Sequence, residues 1–261
     1  MNELDRRAYQ KILNQYALTH ERQTTMDFHH HLKAAIIDAL DDGLLESDPT
    51  RRVIIKGKKA STKKSKFLNL VELQMLLRHL DLGDTISWDW FILLVAKTGL
   101  RFAEALALTP NDFDFEKQVL NVNKSWNYKE KVGHFQPTKN KSSNRTVIAD
   151  WQMMSQFKVL IKGMQSDLPI FVNEGQRIHN SSVNHLLEKY CNELDIPVIS
   201  IHGLRHTHAS LLLYEGVSIA SVAKRLGHAD TTTTQSTYLH IIQELENKDS
   251  DKVLHHLSQL R

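Results

Sequence analysis

The stretch SWDWFILLVAKTG, residues 87–99, constrains the fold more than any other. It is apolar almost throughout and has no polar face. A helix built from it has to be surrounded by other elements. Ser87 or Asp84 is placed to cap its start, and Gly99 to stop it. The rest of the chain supplies the cover. LVELQMLLRHL (70–80) is amphipathic, and RFAEALALT (101–109) resumes a short helix. Helical patterns return at 150–163, 181–194, 203–215, 219–226 and 232–239, with a tail near 241–259. Between them, 112–148 changes period. DFDF, QVLNVNKSW, HFQPTK and RTVIA read as short strands joined by polar turns. The expected class is mainly α with a small antiparallel sheet, an α+β fold.

The first 50 residues are separate in character. Helical patterns cover 5–19 and 24–45, and GLLESDPT ends the second with Gly43 and Pro49 as punctuation. Two helices hardly bury a core alone. Residues 51–66 follow, RRVIIKGKKASTKKSK, with eight basic residues and no acid. The expected division is 1–50, a connector at 51–66, and 67–261. The basic run reads either as a solvated linker or as an anion-binding surface made of Arg51, Arg52, Lys56, Lys58, Lys59, Lys63, Lys64 and Lys66. The residues alone leave both open. The net charge is only +3, so this clustering matters more than the total. Cys191 is the single cysteine, which excludes an intrachain disulfide and fits a reducing compartment. No apolar run reaches bilayer length, and MNELDRRAYQ lacks the apolar core of a signal peptide.

Residues 201–210, IHGLRHTHAS, carry the densest chemistry. A metal site fits poorly. The pair His206 and His208 has no nearby Asp, and Arg205 between His202 and His206 opposes a cation. The HHH run at 29–31 faces three directions on a helix. A phosphate fits better. His202 and Arg205 are three apart at a helix start and share a face. An arginine fork and free helix N–H groups both attract phosphate oxygens. On this reading His206 and His208 are packed or hydrogen-bonded residues. Downstream, Ser218 is a good N-cap and Gly227 a C-cap, which places His228 just outside a helix end. Without further context, Tyr238 reads as a core residue.

Taken together, TGLRFAEALAL (98–108), PTKNKSSNRTV (137–147), IHGLRHTHAS, LGHAD (226–230) and STYLH (236–240) occur in the order found in the tyrosine recombinases. The chain resembles that family, specifically the phage and mobile-element integrases. The resemblance implies the recombinase catalytic fold, preceded by part of a helical core-binding domain. Full-size relatives carry more helix there, and often an arm-binding domain before it. It implies that Tyr238 is the nucleophile, with Arg101, Lys139, His202, Arg205 and His228 around the phosphate and Glu104 as a structural acidic partner. Lys141 is the alternative to Lys139.

The chemistry suits those residue types. In-line attack on a phosphodiester builds negative charge on the phosphoryl oxygens, and aimed cationic donors stabilise it. Arg101 and Arg205 would clamp the oxygens, with His228 as another donor. Tyr238 would form a covalent phosphotyrosine. By resemblance this is a 3′-phosphotyrosyl link, with Lys139 protonating the 5′-oxygen and His202 serving as base or positioning group. Strand exchange of this kind needs no metal, ATP or other cofactor. The implied partners are double-stranded DNA, three further copies of the chain in a synapse that are monomers when free, and accessory bending or excision proteins. The implied setting is a bacterial cytoplasm, on DNA. The basic run would then touch phosphates. The tail at 241–259 would pack in trans on a neighbouring subunit. Rival readings are a relaxase of topoisomerase type IB and a DNA-binding protein without recombination.

Overall fold

The computed structural model describes residues 4–59, 67–130, 132–173, 175 and 177–238. The chain divides into two compact units, residues 1–63 and 64–261.

In the first unit, α1 (Arg6–Ala17) is started by Asp5, whose carboxylate accepts from the Ala8 N–H, and α2 (Arg22–Asp41) follows. Their apolar stripes meet in a small cluster of Tyr9, Leu13 and Ile36, with Phe28, Leu32 and Leu40 packed against it. Residues 51–59 were expected in a connector but belong to this unit. Val53 and Ile55 join the cluster. The Gln10 amide pairs with both backbone groups of Ile54, donating to its carbonyl at 2.9 Å and accepting its N–H at 2.8 Å. The apolar VII triplet inside the basic run explains this. Two helices leave one side of their cluster bare, and Val53 and Ile55 cover it while Ile54 stays exposed.

In the second unit, α3 (Leu70–His79) has a full capping box between Asn69 and Glu72. Helix α4 (Trp88–Thr98) is the surrounded element the sequence demanded. All its residues from Asp89 to Ala96 are buried. Its polar exception, Asp89, accepts from the Tyr190 hydroxyl at 2.9 Å and the Asp81 N–H at 3.1 Å. Gly99 ends it in the left-handed region at φ 69°. There an added Cβ would lie 2.7 Å from the His208 ring, so both backbone and space require glycine. Helix α5 (Phe102–Leu106) is short.

The sheet region differs from expectation in detail. QVLNVNKSW is not one strand. It breaks at Asn123 into β2 (Val119–Val122) and β3 (Lys124–Asn127). With β1 (Phe113–Asp114), β4 (His134–Pro137) and β5 (Arg145–Ile148) they form two antiparallel sheets, β1-β2-β5 and the hairpin β3-β4. The alternation of Val119 to Val122 buries Leu120 and Val122 on one face. Helices α6 (Trp151–Leu160), α7 (Asn180–Glu193), α8 (Ile201–Tyr214) and α9 (Ile219–Leu226) complete the unit. A last helical stretch covers 231–238. Helix α8 begins at Ile201, earlier than its pattern suggests, because Ser200 caps it through the Gly203 N–H. The large core runs from Leu68 to Leu204 around α4. A separate small cluster holds Ala209, Leu213, Val222, Leu226 and Tyr238. The tail at 241–259, and Lys63, Lys64 and Lys66, lie outside the described residues. Among those described, no helix is long and apolar enough to cross a membrane.

Candidate active site

Two helix ends and one helix start build the site. Helices α4 and α9 both stop on left-handed glycines, Gly99 and Gly227. Such ends leave carbonyls without helical partners and carry partial negative charge. Two arginines fill them. Arg205, on α8, donates to the Gly99 carbonyl at 2.6 Å and the Leu226 carbonyl at 2.7 Å. Arg101, just before α5, donates to the Gly227 carbonyl at 3.0 Å, to Ser143 Oγ at 3.3 Å and to Glu104 Oε1 at 2.6 Å. Arg205 is 3% exposed. Burial first, and then the charge of Arg101, pull its pKa down to about 9, so it stays a cation at neutral pH.

Glu104 is buried, and burial alone would raise its pKa. The hydrogen bond and charge of Arg145, together with Arg101, more than offset that and hold it below the usual range. Arg145 grips both of its oxygens, at 3.3 and 3.0 Å, and its Nε donates to the Arg225 carbonyl at 2.6 Å. Arg101 and Arg145 thus share a single carboxylate, and neutral carbonyls anchor Arg205. The cluster keeps net positive charge, which suits a phosphate.

His228 follows Gly227. Its Nε2 accepts from Arg205 at 3.2 Å, so its Nδ1 carries the hydrogen and donates to Thr234 Oγ1 at 2.7 Å. Burial, then Arg205, Arg101 and Arg145, push its pKa down to about 4. The ring is neutral at pH 7.

The histidines of α8 diverge. His208 is buried, donates from Nδ1 to the Ala96 carbonyl at 3.0 Å and accepts from Arg225 at 2.8 Å. Burial first, then Arg225, lower its pKa to about 3. Its expected packing role stands. His202 is exposed, and its pKa is lowered by partial burial and then by Arg205 and Arg101. Its ring meets that of His206 edge-on, with centroids 4.7 Å apart. His206 was expected to pack or to be hydrogen-bonded, and its Nδ1 lies 2.8 Å from the Tyr238 hydroxyl. Tyr238 is 2% exposed, and burial, opposed by Arg205, raises its pKa to about 12.

Lys139 and Lys141 are both exposed, in the turn between β4 and β5. Among the described residues neither side chain is bonded to the arginines. The turn itself is braced. Asn140 accepts from the Ser143 N–H, Thr138 donates to Asn144, and Ser143 reaches Arg101. Lys139 therefore sits on a tied support beside the cluster.

Sequence reading missed Arg145 and His206. Arg145 had a signal, since it shares a strand face with buried Val147. An arginine on the inward face of a strand calls for a buried acid. His206 had none, because only the return of 231–238 brings Tyr238 to it.

Residues 66–244 match a profile described as the phage integrase family. An integrase of Staphylococcus phage L54a is 24% identical over 97% of this chain and 80% of its own length. The ICEBs1 integrase of Bacillus subtilis is 26% identical over 82% of the chain and 61% of its length. The transposase of transposon Tn916 from Enterococcus faecalis is 26% identical over 84% and 58%. The chain thus spans about three fifths of the last two. Among solved structures, the Tn1549 transposon integrase in complex with a circular intermediate DNA aligns with a TM-score of 0.72 at 17% identity, over 90% of this chain and 81% of that one. The XerH recombinase bound to its difH substrate aligns at 0.70 and 19%, over 96% and 73%. Both likenesses concern the fold.

Proposed function

The chain belongs to the phage integrase family of tyrosine recombinases, and from that premise we propose that it is a site-specific DNA strand transferase working through a phosphotyrosine at Tyr238. The observation that carries the reading is the convergence of Arg101, Arg205 and His228 on the ends of α4 and α9, with the Tyr238 hydroxyl beside the same helix α8.

A scissile phosphate enters against the two guanidiniums, whose remaining N–H groups bind its non-bridging oxygens. Glu104 and Arg145 hold Arg101 in place. As the phosphorane gains charge, His228 shifts from acceptor toward protonated donor. Lys139 swings in from its braced turn to protonate the 5′-oxygen. Tyr238 keeps the 3′-phosphate, and its ester conserves the energy of the broken bond, so rejoining is the same step reversed. Each aimed donor contributes a few kcal/mol of transition-state stabilisation.

The wider reading is that the chain integrates or excises a mobile element within a four-subunit synapse, with accessory proteins. The first unit then acts as a core-binding domain. Arg51, Arg52, Lys56, Lys58 and Lys59 are all exposed, which supports a role in phosphate contact.

The test is a duplex nicked beside the cleavage site, in EDTA, which traps the covalent adduct. Wild-type protein should form the adduct and Tyr238→Phe should not, with peptide mass spectrometry placing the attachment at Tyr238. An adduct on another residue, or none from the wild type, would overturn the reading.

A further inference from the structure

Ionising Tyr238 is the unsolved step. Its hydroxyl is buried and its pKa stands near 12, so only roughly one molecule in 10⁵ would carry a phenolate at pH 7. Bulk water does not reach it to take the proton. Four groups near it need to be weighed. Arg205 is a cation and only donates. His228 is occupied at both nitrogens, by Thr234 and Arg205. His202, the base or positioning group implied by the resemblance, has no hydrogen bond to Tyr238 among the described residues, and meets the edge of the His206 ring instead. His206 Nδ1 stands 2.8 Å from the hydroxyl oxygen, within range for direct transfer.

We propose that His206 takes the phenolic proton as Tyr238 attacks phosphorus, and that His202 is a positioning residue that steadies the His206 ring. The inference rests on the reading of Tyr238 as nucleophile. In the step, the O–H bond of Tyr238 breaks and an N–H bond forms at His206 Nδ1. The Tyr238 oxygen bonds to phosphorus as the bond from phosphorus to the 5′-oxygen breaks, and that oxygen takes a proton from Lys139. The imidazolium so formed lies beside the developing phosphorane charge, which offsets its nearness to Arg205. On resealing, the same proton returns to the phenol. Helix α8 serves both halves of the chemistry by one turn of periodicity. Arg205 points inward to the phosphate side. His202 and His206, four residues apart, share a neighbouring face, from which His206 meets Tyr238.

The nicked duplex is used in two forms, one with a normal 5′-oxygen and one with sulfur in its place. A thiolate leaves without needing a proton. The expected results are these. His206→Ala slows adduct formation about 100-fold or more. His206→Asn, whose side-chain oxygen still accepts the phenol hydrogen bond without being basic, folds and binds DNA but stays comparably slow. Added imidazole partly restores His206→Ala. On the sulfur duplex Lys139→Ala recovers and His206→Ala does not. His202→Ala loses less than His206→Ala and gains nothing from imidazole.

Wild-type rates in His206→Asn would reduce His206 to a hydrogen-bonding prop and overturn the assignment. So would recovery of His206→Ala on the sulfur duplex, or imidazole rescue of His202→Ala alone. A wild type that forms no adduct on either duplex, or a Tyr238→Phe that does, defeats the nucleophile reading first and this inference with it.

Discussion

The arginine side and the tyrosine side of the site stand on very different foundations. Arg101 and Arg205 are bonded to the ends of α4 and α9, and α4 is the centre of the large core. Tyr238 is one of a cluster of five buried residues and is hydrogen-bonded to His206. Charge stabilisation needs donors that do not move when charge appears, since reorganisation would cancel the benefit. A nucleophile has to travel toward phosphorus and later release it. The electrostatics rest on the large core and the attacking group on the small cluster, which is expected to open at the smaller cost.

The sharpest way to break this contrast is to separate chemistry from stability at Tyr238. Tyr238→Phe should abolish the adduct on the nicked duplex while shifting unfolding by only about 0.5–1.5 kcal/mol, the range for one hydrogen bond. A large loss of stability in urea titrations would mean the hydroxyl holds the fold.

On the other side the balance inverts. Glu104→Ala leaves Arg145 buried against carbonyls alone and should cost about 3–5 kcal/mol. It should also slow cleavage by loosening Arg101. Equilibrium unfolding together with adduct rates reads both effects. A Glu104→Ala protein of unchanged stability would show that the carbonyls alone hold the guanidiniums.

Native-state hydrogen exchange compares the two foundations directly. Amides of α4 should exchange only through global unfolding, and those of 231–238 through a cheaper local opening. Equal protection in both would remove the contrast.

A smaller effect sharpens the electrostatic side. His208 and His228 have folded pKa values of about 3 and about 4, both below the ordinary histidine value. The unfolded chain therefore binds protons first, and the stability from their neutral forms is complete above about pH 6.5. It is lost as pH falls from there toward 4 for His228 and 3 for His208. The loss is at most about 1.4 kcal/mol per pH unit for each group. Melting temperatures from pH 7 to 4.5 should fall with that slope, and His208→Gln should flatten it.

The helices could be read because hydrophobic period and capping are local. Ser87, Gly99, Ser218 and Gly227 cap the helices whose apolar spacing predicted them. The strands were harder, since the break at Asn123 is set by which partner each half finds and not by its own residues. Arg101, Glu104, Arg205, His228 and Tyr238 stood out through their motifs, and the structure gathers them. The fate of Val53 and Ile55 was hidden, because a basic composition outweighs a few apolar residues until a bare cluster is there to receive them.

Residue order by itself determined the surrounded helix α4, the glycine stops of α4 and α9, and the order of the chemical motifs. Each depends on neighbours a few positions away. Only the tertiary structure decided which carbonyls hold the arginines, which acid Arg145 meets 41 residues away, and which histidine touches Tyr238 across 32. Those pairings join groups far apart in the chain. They form only when packing around α4 brings helix ends, strand and returning segment to one place, and no local pattern encodes that meeting.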